Sequence, residues 1–145
     1  MFIFDTNVVS QLRRPEKADA NVRAFAQATP AAHIFLSAIT VLELELGALR
    51  IERKDKAQGA ILRSWIEKQI LPQFEGRILA IDAAVAKACA RLHVPDPRAE
   101  RDALIAATAL VHGMSVVTRN TADFEATGVR IFNPWEERAP THPSG

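Results

Sequence analysis

The 145-residue chain has no tyrosine, a single cysteine and only 6% aromatic residues. One cysteine excludes an internal disulfide, and Cys89, set in an Ala-rich stretch, reads as a small buried apolar residue with no catalytic role. So few aromatics leave little from which to build the stacking platform that single-strand binders use. The net charge is +1, so the chain lacks the basic excess of an electrostatically driven nucleic-acid binder, and any such contact must be local. No segment reaches the ~18 apolar residues of a membrane span, and strand-like residues follow Met1 directly, without a charged leader; a cytoplasmic location is expected. The six glycines are scattered singly, with no Walker A sequence to cradle a nucleotide triphosphate. His33, His93, His112 and His142 have neither metal-ligand spacing nor a neighbouring nucleophile signature.

What remains is globular in composition, 48% hydrophobic and 24% charged, in a chain about the size of one domain. Strand signals fall at residues 2–4, 33–37, 77–80, 115–118 and 129–132, separated by helical stretches. That alternation predicts βαβ units around a parallel sheet. Residues 8–13, 40–52, 57–71 and 82–92 read as helices, with Ala57, Ala60, Ile61, Trp65 and Ile66 on one apolar stripe of the third. Two prolines make Val94-Pro95-Asp96-Pro97 a loop. The helix that then opens near Arg101 is apolar almost all round from Leu104 to Val111, as a buried central helix should be. A single domain is expected over residues 1–135, followed by a polar, proline-containing tail over 136–145.

Four acids stand at element boundaries. Asp5 ends the first strand, at the carboxyl edge where open α/β sheets place their ligand sites. Glu43 closes a Thr40-Val41-Leu42-Glu43 capping box, Asp102 opens the buried helix, and Asp123 closes Asn120-Thr121-Ala122-Asp123 after the fourth strand. Each alone has a structural explanation as a helix cap or a dipole partner. If all five strands are parallel, however, the four carboxylates can converge on one sheet edge. Such a pocket repels itself unless cations neutralise it. Oxygen-only ligands suit Mg²⁺ or Mn²⁺, whose chemistry is phosphodiester hydrolysis by in-line displacement.

The blocks Phe2-Ile3-Phe4-Asp5-Thr6-Asn7, Ser37 to Gly47, Asp102-Ala103-Leu104-Ile105-Ala106-Ala107 and Thr118-Arg119-Asn120-Thr121-Ala122-Asp123-Phe124 occur in an order and spacing that resembles the PIN-domain ribonucleases, and within them the VapC and FitB-like toxins of bacterial toxin–antitoxin pairs. The resemblance runs from Phe2 to about Trp135. It implies a three-layer α/β/α sandwich with a central parallel sheet of about five strands, Mg²⁺- or Mn²⁺-dependent cleavage of RNA, and a homodimer. It also implies a cognate antitoxin that covers the active site and reaches operator DNA on the toxin's behalf. By the same resemblance Asp5, Glu43, Asp102 and Asp123 match the acidic quartet that binds metal and catalyses. Thr6, Thr118 and Asn120 match polar positions that support the carboxylates and the incoming phosphate.

The segment before Asp102 departs from the family pattern in its charge. Asp96 and Glu100 compete there as ligands, and Arg98 and Arg101 as phosphate contacts, although Asp102 alone opens the apolar helix. Glu45 lies two positions from Glu43, a turn of about 200°, and should face elsewhere. Arg13, Arg14, Arg50, Arg53, Lys54 and Arg119 are the cations nearest these blocks, as RNA contacts or as solvated helix ends. Two other functions compete. A haloacid-dehalogenase-like phosphatase would use Asp5 as nucleophile, but Asn7 occupies the place of its second acid. In a non-catalytic binding module the acids would be caps only.

Overall fold

The computed structural model describes residues 1–136; of the expected C-terminal tail, residues 137–145 lie outside them. Five strands, β1 (Phe2–Phe4), β2 (Ile34–Ser37), β3 (Ile78–Leu79), β4 (Ser115–Val117) and β5 (Ile131–Phe132), form one sheet in the order β3-β2-β1-β4-β5. Every neighbouring pair is parallel. After β1 come α1 (Thr6–Gln11) and α2 (Ala20–Ala28), the latter not picked out by the sequence reading. Between β2 and β3 run α3 (Ala38–Lys54), α4 (Lys56–Trp65), a π-helical turn at Ile66–Ile70 and the short α5 (Leu71–Gln73). Between β3 and β4 run α6 (Ala83–Leu92) and α7 (Glu100–His112). The result is the three-layer α/β sandwich expected.

Parallel strands covered on both faces must be apolar at every position, and short runs such as Phe2-Ile3-Phe4 meet that demand. Successive side chains then point to opposite layers. Ile3 and Val116 pack with Ile105, Ala106 and Ala109 of α7, whereas Phe4 and Val117 pack with Val8, Val22, Phe25 and Leu44 on the other side. Phe25 of α2 sits among Phe2, Phe4 and Phe132, with ring centroids 5.3, 6.1 and 4.7 Å away. Small residues explain the central place of α7: Ala103 and Ala107 let α6 approach through Val85 and Cys89. The helix ends at Gly113, whose φ of +67° is the left-handed conformation a side chain would resist.

The apolar stripe of α4 is core over only part of its length. Ile61 is 51% exposed, and Ala57 and Ala60 are exposed with it. The face of α4 that is buried carries Gly59 and leads into Ile66 and Ile70. The Asp55 turn folds α4 back onto α3 so closely that a Cβ built on Gly59 would lie 2.5 Å from the Glu52 Cα. The hairpin angle therefore depends on that missing methyl. Gly59→Ala is expected to cost about 1–3 kcal/mol by overpacking despite the better helix propensity of alanine; urea unfolding measures it, and an unchanged midpoint would contradict the close approach.

Candidate active site

Strand β1 pairs with β2 on one side and with β4 on the other, so the order in which strands are added reverses at the β1/β4 boundary. Parallel sheets leave a crevice at the carboxyl end of such a boundary. Asp5 and Thr118 are the residues that leave these two strands, and the Asp5 N–H donates to the Val117 carbonyl at 2.9 Å, carrying the pairing one residue past β1.

Asp5 is only 5% exposed. It caps α1, its Oδ1 accepting the Thr6 N–H at 2.8 Å. Its Oδ2 accepts the Thr118 hydroxyl at 2.7 Å and the Asn7 side-chain amide at 3.3 Å. Thr118 Oγ1 in turn accepts from the Asn120 N–H at 3.0 Å and from Asn7 Nδ2 at 3.3 Å, which uses its one donor and both lone pairs. Burial raises the Asp5 carboxyl above its ordinary value, the Thr118 and Thr6 hydrogen bonds oppose that rise, and Glu43 and Asp123 add to it.

Glu43 reaches this site by a route the capping-box reading did not anticipate. Helix α3 starts two residues earlier than Thr40, at Ala38, with the Ser37 hydroxyl accepting the Ile39 N–H at 3.0 Å as its cap. Glu43 therefore stands beyond the first turn, with no backbone donor to satisfy. Its Oε1 accepts the Thr6 hydroxyl at 2.7 Å, and its Oε2 lies 3.7 Å from Arg101. Buried Thr40 places its hydroxyl 3.3 Å from that of Thr6.

Asp102 lies in the first turn of α7 as expected. Burial, with Asp5, Asp123 and Glu43 adding their repulsion, pushes its carboxyl from 3.8 up to about 6. Each of the four acids thus acts on Asp102 or belongs to it, and they form one electrostatic cluster. Among the described residues no three of them already close into a metal-binding group. Asp5 spends both oxygens on hydrogen bonds, and Glu43 is held between Thr6 and Arg101.

The competing residues near Asp102 go elsewhere. Glu100 acts on the Cys89 thiol, Arg98 donates to the Leu92 carbonyl at 2.7 Å, and exposed Asp96 stays in the preceding loop. Glu45 acts on Arg63 of α4, as its turn from Glu43 requires. Asp123 closes a single 3₁₀ turn, Thr121–Asp123, where a capped helix was expected, and Asn120 supplies a backbone N–H to Thr118 without capping through its side chain. Arg101, considered as a phosphate contact, lies 3.7 Å from Glu43 instead; Asn7 and Thr40 also belong to the cluster and were not singled out as site residues. Only Asn7 had a local signal, at two positions from Asp5.

The PIN domain family model matches residues 2–129, most of the chain. The chain belongs to the PIN-domain family. It is 40% identical to toxin FitB of Neisseria gonorrhoeae over 144 residues, covering 94% of this chain and 100% of that one. It is 37% identical to VapC ribonuclease Y4jK of Sinorhizobium fredii, covering 94% and 99% of the two. The solved FitAcB structure from Neisseria gonorrhoeae superposes with a TM-score of 0.85 at 37% identity, over 94% of this chain and 100% of that one. The structure of FitAB bound to an IR36 DNA fragment gives 0.84 at the same 37% identity, over 98% and 100%. The β1/β4 crevice and the four acid blocks all lie within the residues that the family model matches. Membership takes away the ground for the dehalogenase-like alternative.

Proposed function

We propose that this PIN domain is a metal-dependent endoribonuclease and the toxin of a toxin–antitoxin pair. The observation that carries the reading is the cluster of Asp5, Glu43, Asp102 and Asp123, where burial first and mutual repulsion second raise Asp5 and Asp102 above the ordinary aspartate range. Negative charge gathered in a crevice without its countercharge is what a hard divalent cation relieves. The donor set fits Mg²⁺ or Mn²⁺, since each of the four acids offers carboxylate oxygen and, among the described residues, no His or Cys joins them. Asp5 and Asp102 would hold the ion, with Glu43 and Asp123 as further ligands or as acceptors for its waters. When bound, the ion supplies an activated water and charge neutralisation at the phosphate.

The protein's own part is to hold the carboxylates. Thr6 orients Glu43, and Thr118 keeps Asp5 ionisable by donating to its Oδ2. Thr118→Val keeps the shape and deletes that donor, so Asp5 should gain its proton more readily and activity should fall about 10–100-fold. The acid limb of the pH–rate profile should move to higher pH. Thr118→Ser should restore both, whereas a Val variant with the parent profile would leave Thr118 without this role.

The substrate is RNA, by analogy with the ribonuclease-named relative, and the partner is an antitoxin, by analogy with FitAB. Any contact with operator DNA would then be made through that partner. The direct test is cleavage of single-stranded RNA by the purified protein with Mg²⁺ or Mn²⁺. Chelation should abolish it and added metal restore it; cleavage that persists in excess chelator would overturn the metal-dependent reading.

A further inference from the structure

We propose that Arg119, seated on the indole of Trp135, grips the substrate at the lip of the acid pocket, taking the phosphate of a nucleotide adjacent to the scissile one. This rests on the ribonuclease reading above. Arg119 directly follows Thr118, and its backbone N–H donates to Asn7 Oδ1 at 3.3 Å, while the same Asn7 side chain donates to Asp5 Oδ2. One amide thus ties the Arg119 backbone to the network that positions Asp5. The guanidinium lies 5.3 Å from the Trp135 ring centroid, and the residue is exposed.

Trp135 is itself clamped. Its backbone N–H donates to Asn133 Oδ1 at 2.9 Å, its carbonyl accepts the Asn21 side chain of α2 at 3.1 Å, and its half-buried side chain packs against the core cluster that holds Phe25. A guanidinium laid on a fixed ring loses less conformational freedom on binding and keeps its planar fork open to a phosphate.

The charge balance of the site gives that fork its purpose. Four carboxylates repel an incoming polyanion, so cations must meet the strand beside the pocket. Arg101 is engaged with Glu43, and Arg98 is held by backbone carbonyls. Among the described residues no carboxylate forms an ion pair with Arg119; its partner is an aromatic face, which leaves its charge unneutralised. A phosphate contact carries no base information, so this grip should act equally on all sequences. Trp135 is a positioning residue that acts through Arg119.

The test measures cleavage of a short mixed-sequence single-stranded oligoribonucleotide, and its binding by fluorescence anisotropy in the Asp5→Asn background. Arg119→Ala should raise KM and weaken binding about tenfold, reduce the salt slope of binding by about one, and leave kcat at saturating RNA within about twofold. Arg119→Lys should recover part of the affinity and the salt slope. Trp135→Phe should stay near the parent, and Trp135→Ala should raise KM a few-fold while keeping the charge. Unchanged KM and salt slope in Arg119→Ala, or a loss confined to kcat, overturns the proposal. A parent protein that binds this RNA through Arg119 yet never cuts it would sink the nuclease reading and leave the grip standing.

Discussion

Asp5→Asn should reduce RNA cleavage by roughly 10²–10³-fold, equivalent to about 3–4 kcal/mol of transition-state stabilisation. The substitution removes the negative charge of the most buried acid in the cluster and keeps its volume. The amide oxygen can still accept the Thr6 N–H that starts α1. On the other side, an amide in place of Oδ2 would meet two existing donors, the Thr118 hydroxyl and Asn7 Nδ2. That conflict costs stability, while removal of a desolvated charge returns some, so the melting temperature should move by only a few degrees. Loss of activity with a retained fold, checked by circular dichroism and thermal melting, is the expected outcome. A variant that cuts RNA as well as the parent would remove Asp5 from the mechanism.

Asp102→Asn should move activity and stability in opposite directions. Cleavage should fall by a comparable factor, yet the metal-free variant should be more stable than its parent at neutral pH. In the unfolded chain this carboxyl ionises near 3.8, and in the fold near 6. Between those values the folded state holds a proton that the unfolded state has lost, so stability falls as pH rises through the window. Below it both states are protonated and the favourable contribution is complete; above about 6 it is gone. Asp5, also raised, contributes with the same sign. Because Asp102 is partly exposed, solvent screening reduces the gain expected at pH 7 to about 1 kcal/mol. Urea unfolding of both proteins at pH 4.5 and 7 should show the difference growing with pH. Added Mn²⁺ should stabilise the parent and have little effect on the variant, since an ion bound only by the folded state stabilises it by mass action. A variant less stable than the parent at pH 7, with the same pH dependence, would contradict this account.

The positions of Asp5 and Asp102 were legible because both depend on short-range rules. An acid after an apolar strand, and an acid opening an apolar helix, are set by a few neighbouring residues. Glu43 was legible through the four acid blocks taken together, whereas its local structural reading is not what the fold shows. Its capping-box spacing suggested a bond within its own helix, but Ser37 caps α3 instead, and Glu43 turns to Thr6, a residue 37 positions away. The helix expected after Asn120 is a 3₁₀ turn, and the Asn120 N–H that a capping box would offer to Asp123 goes to Thr118. On α4 the periodicity was helical as read, but it did not show which apolar residues face inward. Gly59 lets α3 pack on its own side, and Ile61 is left in solvent.

From the order of residues alone came the alternation of strands with helices, the parallel sheet, the buried character of α7, the four acid blocks and the family they resemble. The structural readings follow from periodicity, turn chemistry and spacing, which act over a few residues; the family rests on the match of the blocks themselves. Only the folded chain decided that Glu43 answers to Thr6, that Thr118 and Asn7 hold Asp5, and that Arg119 rests on Trp135. Those pairings join distant segments, and they arise because β1 lies between β2 and β4 and brings the ends of three strands to one edge. Strand order depends on which layers bury the most apolar surface together, a property of the whole chain that no local pattern encodes.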